Sequence, residues 1–166
     1  MTEKNITKLT IILSAGLFIT SLTQTAYCTT DCKSSFMVLL VGILGILTEI
    51  GAVSSFILDT LNGHTGSLKH PIGATFTWLA NPILLFSLII FRHSKKTALI
   101  LSIISTLIIL SFTLFDKVID NEAGHYSTVT TLNLGYWLWF LSSLTILMGS
   151  LTILKISKKS HPITAP

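Results

Sequence analysis

Few residues in this chain have the chemistry to do more than pack, and Glu49 stands first among them. It is a carboxylate about halfway along the apolar run 36–58. The Leu, Ile, Val and Phe residues of that run each favour insertion by about 0.3–0.6 kcal/mol, and together they outweigh the roughly 3 kcal/mol that a central carboxylate costs. The run therefore belongs in a bilayer despite its acid. An intramembrane acid reads by default as a protonatable or cation-binding group. If the run is one helix, Gly42, Gly45, Glu49 and Ala52 share a face at spacings of three and four. Such a face lets a second helix approach closely and aims the carboxylate inward. The competing reading uses Gly42, Gly45 and Gly51 to divide the run into a short re-entrant piece, which leaves Glu49 near water.

Cys28 and Cys32 are the only two cysteines, separated by Thr29, Thr30 and Asp31. In an oxidising compartment they can pair and close a very small ring; otherwise they are two ordinary thiols. Membrane thiol oxidoreductases use closely spaced cysteines too, but usually as Cys-x-x-Cys with a second pair to relay electrons. Here three residues intervene and no second pair exists.

Asn81 and Pro82 open the apolar run from Pro82 to Phe91. Proline has no N–H to donate, so the carbonyl four residues back, on Trp78, loses its helical partner and the helix must bend or begin. The Asn81 amide is placed to satisfy a freed backbone group. The reading is a helix start with a tryptophan anchor, set against a functional helix break of the transporter kind.

Two loops hold other ligating side chains. Asp59, His64 and His70 lie in one, and Asp116, Asp120, Glu122 and His125 in the other. Neither set has the spacing of a known zinc or calcium site, so both read as solvated loops and no metal is expected. There is no hydrolase triad, phosphate-cradling glycine loop or metalloprotease helix, so neither an enzyme nor a cofactor is expected.

The elements that must position these residues are hydrophobic. Half of the 166 residues are apolar and only 11% are charged, where a soluble domain carries about 25%. Mean hydropathy is +0.75. Five segments qualify as bilayer elements: A, 9–27; B, 36–58; C, 72–91; D, 97–115; and E, 132–154. They leave no room for a soluble domain, so the expectation is a single domain over 1–166: an all-α polytopic membrane helical bundle with four to five transmembrane segments. Segment A has a lysine-led start but no clean Ala-x-Ala site, and Tyr27 before Cys28 argues against a lipoprotein site, so A reads as an uncleaved anchor. Segment D carries Ser102, Ser105 and Thr106 on one side, and segment E carries Gly135, Ser142 and Gly149 at intervals of seven. Both stripes suit helix contacts.

The net charge of +4 would suit an acidic partner, but the lysines sit in small groups beside the apolar segments and act as topology signals, so no nucleic acid is expected. Suppose A, C, D and E cross while B dips in and returns. Lys4, Lys8, Arg92, Lys95, Lys96, Lys155, Lys158 and Lys159 then share one side, against Lys33, Lys69 and Lys117. Five crossings, or B to E alone, also put the Arg92–Lys96 turn and the C-terminus on the positive, cytoplasmic side. The favoured arrangement has a crossing A and a re-entrant B.

Trp78-Leu79-Ala80-Asn81-Pro82 ahead of an apolar run, a basic turn, and then Gly135-Tyr136-Trp137-Leu138-Trp139 opening the last span resemble an arrangement in uncharacterised small bacterial multi-pass inner-membrane proteins. The resemblance covers mainly residues 77–154 and implies the bacterial inner (plasma) membrane. That family has no assigned activity, so it supplies no site residues. The leading expectation is a non-enzymatic membrane protein acting through helix contacts with itself or a membrane partner, of the assembly or immunity type. The alternative is a proton- or cation-coupled transporter or channel using Glu49 and the Asn81-Pro82 break. A thiol oxidoreductase using Cys28 and Cys32 comes third.

Overall fold

A computed structural model describes residues 2–62, 73–119 and 125–160, and within these the side chains of Ala52 and of residues 158–160 are not described. His64, Lys69, His70, Asp120 and Glu122 lie outside the described residues. Five helices carry the fold: α1 (Glu3–Leu22), α2 (Ser35–Leu61), α3 (Ala80–Ile90), α4 (Lys95–Ser111) and α5 (Leu134–Ser160). A 3₁₀ segment, Thr75–Leu79, leads into α3, and a 3₁₀ turn, Phe112–Leu114, ends α4. The strands are β1 (Thr25–Cys28), β2 (Cys32–Ser34), β3 (Lys117–Ile119), β4 (Tyr126–Thr128) and β5 (Thr131–Leu132).

The chain is thus mostly helical but not all-α. One sheet runs in the order β2-β1-β5 and a second pairs β3 with β4, both antiparallel. These strands fall in the polar connections, where Thr, Val, Ile and Tyr favour extended backbone. The end of segment A is one of them: α1 stops at Leu22, and Thr25–Cys28 continues as a strand.

Local chemistry sets the helix starts. The Ser34 hydroxyl accepts from the Met37 N–H at 3.3 Å and caps α2, and Ser94 caps α4 through Thr97 at the same distance. Pro82 sits in the first turn of α3, where its missing N–H costs least. α2 is unbroken over 27 residues. Gly42, Gly45 and Gly51 therefore do not divide segment B, and the expectation of a helix interrupted by its glycines is corrected. A glycine inside a helix costs only about 1 kcal/mol, which the apolar run around it exceeds.

α1, α3, α4 and α5 form an antiparallel bundle joined by hydroxyls. Ser14 and Ser142 each donate to the other's carbonyl at 2.9 Å, which fastens α1 to α5. Gly149 takes Thr10 against its backbone one step further along. Thr106 and Ser105 meet Ser143 at 2.8 and 3.2 Å, and the Tyr136 hydroxyl donates to Ile109 O at 2.9 Å, fastening α4 to α5. Ser87 donates to Ala98 O at 3.1 Å and Ser105 to Ala80 O at 3.3 Å, fastening α3 to α4. The packing stripes read from segments D and E are consumed by these contacts inside the chain. Around them lie two apolar clusters, one with Phe18, Leu84, Phe91, Ala98, Ile146 and Ile153, the other with Ala80, Ile109, Phe112, Val118 and Tyr136.

These pairings define two ends. At the basic end, Lys95 donates to Thr7 Oγ1 at 3.2 Å and to Phe91 O at 2.6 Å, so the turn after α3 meets the start of α1. The antiparallel contacts bring Lys155 of α5 to that end as well. At the opposite, sheet end lie β1, β2 and β5, the 3₁₀ segment and the start of α5.

α2 leaves the bundle's plan. Its main contacts are with the 3₁₀ segment, and others fall on β1, β2, α1 and, through Ser35 and Gly135, α5. Ser35 N–H donates to Gln24 O at 2.9 Å, Gly42 lies under the Trp78 ring, and Gly45 meets the Thr75 side chain. All these neighbours belong to the sheet end. The chain re-enters the described fold at Gly73, beside Phe115, again at the sheet end. The first half of α2 is therefore docked on that end, which is also where the chain re-enters the described fold.

By length and composition, four stretches could cross a membrane: Glu3–Leu22, Ser35–Leu61, Lys95–Leu114 and Leu134–Ser157. The fifth apolar stretch, Thr75–Ile90, is shorter. A five-residue 3₁₀ segment followed by an eleven-residue α-helix still extends about 26 Å, close to the roughly 30 Å of a hydrocarbon core.

Candidate functional site

The residues singled out from the sequence collect near the sheet end but do not form one centre. Gly42, Gly45 and Glu49 do share a face of α2, and the two glycines turn it onto the bundle. Trp78 exploits the bare backbone there: its indole covers Gly42 while Nε1–H donates to Leu39 O at 2.8 Å. Glu49, one turn past Gly45, is 1% exposed, and neither carboxylate oxygen has a hydrogen-bond partner. It is the only charged side chain buried among the described residues. A buried polar group without a partner costs about 1–3 kcal/mol, and more if charged, so stability does not account for a glutamate here.

Tyr126 is the group that feels it. Burial raises the Tyr126 phenol above its ordinary value, and the negative charge of Glu49 raises it further. Nothing in the sequence pairs a residue of α2 with one in β4 more than seventy positions away. Only the folding of α2 over the sheet end brings them together.

Asn81 has a structural role. Its Nδ2 donates to Trp78 O at 3.1 Å, which occupies the carbonyl that Pro82 leaves without a helical donor. The residue is 7% exposed and marks the joint between the 3₁₀ segment and α3. Asn81-Pro82 thus starts a helix instead of breaking a long one, and it lies on a different element from Glu49.

Cys28 and Cys32 form a disulfide that bridges β1 to β2. Asn133 Nδ2 donates to Cys28 Sγ at 3.0 Å, tying the bridge to the start of α5. The bridge holds the hairpin from which α2 departs. No group of three His, Cys, Asp or Glu, Asp59, Asp116 and His125 included, is placed to hold a metal among the described residues.

Between α2 and the sheet end lies a cavity of about 1050 Å³ that the sequence did not announce. Its wall runs from Met37 to Thr48 on α2 and continues over Phe18, Leu22, Tyr27, Trp78, Phe112 and Trp139. Trp78, read as an interfacial anchor, is part of its lining, together with Tyr136 and Trp139.

No family model, curated protein or solved structure matches this chain.

Proposed function

We propose that this chain is a non-enzymatic integral membrane protein that works through helix contacts, and that α2 is the element offering them. The observation that carries the reading is the uncovered outer side of α2. α1 also presents an open glycine, Gly16, among exposed apolar residues, but α1 is packed along α5, whereas α2 is mostly exposed past Glu49. Leu47 is 60% exposed, Leu58 60% and Leu61 77%. Gly51, in the middle of that side, would meet nothing with an added Cβ. A long apolar helix with a glycine on its open face is suited to close approach by another membrane helix, from a second copy or from a membrane partner of the assembly or immunity type.

In this reading α1, α3, α4 and α5 cross the bilayer and α2 rests at the sheet end. The asymmetry of charge supports it: Lys4, Lys8, Arg92, Lys95, Lys96 and Lys155 lie toward the basic end, and Lys33 and Lys117 toward the other. Positive residues are retained inside, so the basic end with the C-terminus faces the cytoplasm. The membrane is then the bacterial inner (plasma) membrane, and the disulfide faces the oxidising side.

The test is a cysteine at position 51. In a Cys28→Ser, Cys32→Ser background, Gly51→Cys is expected to give an oxidative crosslink in membranes, either to a second copy or to one discrete partner. A chain that stays monomeric in mild detergent and forms no crosslink at this position would defeat the reading.

One observation favours a second reading, proton or cation coupling, and it is the unpartnered Glu49. Against it, Glu49 lies outside the four-helix core, whose buried polar groups are hydroxyls and the Asn81 amide. A coupled transporter needs its ionisable group on a path between two packed halves. Wild-type transport phenotypes in Glu49→Gln would remove this alternative.

A further inference from the structure

The two sulfurs of the Cys28–Cys32 bridge stand in different surroundings. Cys32 opens β2, an edge strand in the order β2-β1-β5, and is exposed. Cys28 closes β1, the central strand, and is half-buried. Its carbonyl accepts from the Thr130 N–H at 2.8 Å and from Thr130 Oγ1 at 3.0 Å, which fixes its backbone. Its sulfur accepts from Asn133 Nδ2 at 3.0 Å. Asn133 is held in turn: its N–H donates to Ala26 O at 2.9 Å and its carbonyl accepts from the Tyr136 N–H at 3.1 Å. It stands immediately before α5, so the Cys28 sulfur lies at the N-terminus of a 27-residue helix, where the macrodipole favours negative charge. A neutral disulfide sulfur is a weak acceptor and gains little from either feature, whereas a thiolate gains from both.

We propose that the bridge is a thiol–disulfide exchange site, opened by a dithiol whose thiolate attacks Cys32 Sγ and expels Cys28 as the thiolate. In the first step the attacking sulfur, its proton lost to water, bonds to Cys32 Sγ. The Cys28–Cys32 bond breaks, and its electron pair stays on Cys28. In the second step the dithiol's other thiolate attacks the sulfur now bound to Cys32 and releases Cys32 as a thiolate. The dithiol leaves as a disulfide, oxidised by two electrons, and Cys28 and Cys32 take up two protons in place of the two it gave to water. Exchange is faster the more stable the leaving thiolate, and the Asn133 amide with the start of α5 stabilises charge on Cys28 alone. The direction of attack follows: the exposed sulfur receives and the hydrogen-bonded one leaves. The exchange is a reaction of the chain itself, without turnover. No residue of the outer side of α2 takes part, so it stands apart from the helix contacts proposed above.

The test uses the full oxidised chain, folded in a non-ionic detergent near neutral pH. A brief exposure to excess reduced glutathione is stopped with acid, free thiols are capped with N-ethylmaleimide, and the adducts are placed by peptide fragmentation. The expected trapped species carries glutathione on Cys32 and the cap on Cys28. Dithiothreitol, a dithiol, should reduce the folded chain fully, read as two capped thiols. Asn133→Ala removes the donor and should slow that reduction about threefold to tenfold, with part of the glutathione now on Cys28. Thr130→Val removes a bond to the Cys28 carbonyl without touching the sulfur, and should change neither rate nor placement. The placement in the wild-type chain decides the matter even if Asn133→Ala fails to fold. The proposal is overturned if glutathione lodges mainly on Cys28 or equally on both sulfurs, or if the bridge resists dithiothreitol until the chain is denatured. It is overturned equally if folded Asn133→Ala reacts as the wild-type chain does, or no more slowly than Thr130→Val.

Discussion

Replacing Gly42 with alanine should undock α2 from the sheet end, and the size of the effect follows from one tryptophan. A Cβ on Gly42 falls on the Trp78 indole. That ring cannot simply slide aside, because its Nε1–H is fixed to Leu39 O at 2.8 Å on the same helix, one turn earlier. Overpacking of this kind costs about 1–3 kcal/mol, and losing the hydrogen bond adds about 1 kcal/mol, so docking should weaken by about 2–4 kcal/mol. Because the helix touches the bundle mainly here, the loss is local. It is read in detergent micelles as faster amide exchange across α2, by about thirtyfold to several hundredfold, with α1 and α5 unchanged. The decisive comparison is the same substitution in a Trp78→Ala background. With the ring gone, Gly42→Ala should be neutral or mildly favourable, since alanine is the better helix former by about 1 kcal/mol. An equal cost in both backgrounds would refute the reasoning, because the penalty would then not arise from the indole.

Other consequences are as specific. Glu49→Met removes a buried carboxyl without a partner and should stabilise the chain by about 1–3 kcal/mol, read by unfolding in mixed micelles; destabilisation would mean that the carboxyl has a partner. Glu49→Gln should lower the Tyr126 pKa, because one of the two causes that raise it is removed; tyrosinate absorbance in a Tyr27→Phe, Tyr136→Phe background reads this site alone. A phenol raised in the folded state favours folding while protonated, so the Tyr126 contribution holds below the ordinary value near pH 10 and is lost as pH climbs through the raised one. Ser142→Ala breaks the reciprocal pair with Ser14 and should cost about 0.6–1.7 kcal/mol, the range for hydrogen bonds between membrane helices, measured by the same unfolding assay. Reducing the disulfide, or Cys28→Ser with Cys32→Ser, should cost no more than about 2 kcal/mol, because so small a loop restricts the unfolded chain little; helical content by circular dichroism should persist.

Much of the architecture was legible where a local rule governs it. The apolar runs are helices because nothing but internal hydrogen bonds can satisfy their backbone in a bilayer. Pro82 dictated a helix start, and the vacancy it leaves on Trp78 O is filled by Asn81, as the order of those residues implies. What could not be read depends on distant pairing. Segment B holds an acid and three glycines, which suit a broken helix equally well; the structure keeps it whole and uses Gly42 and Gly45 to seat Trp78 and Thr75. No pattern in residues 35–61 states that this helix docks on an end of the bundle, since that follows from antiparallel contacts among four other helices. The influence of Glu49 on Tyr126 and the cavity beside Trp139 are products of the same placement. The short strands escaped notice for a different cause: two to four residues are too few for alternation to register.

The central claim is that α2 starts and finishes on the side of the disulfide, opposite the basic turn. It is tested most directly by single cysteines in a Cys28→Ser, Cys32→Ser background, labelled in intact cells with a membrane-impermeant thiol reagent and lysed cells as control. Asn62→Cys, at the end of α2, should label from outside, and His93→Cys, in the basic turn, only after lysis. If Asn62→Cys also labels only after lysis, α2 crosses the membrane and the arrangement described here is wrong.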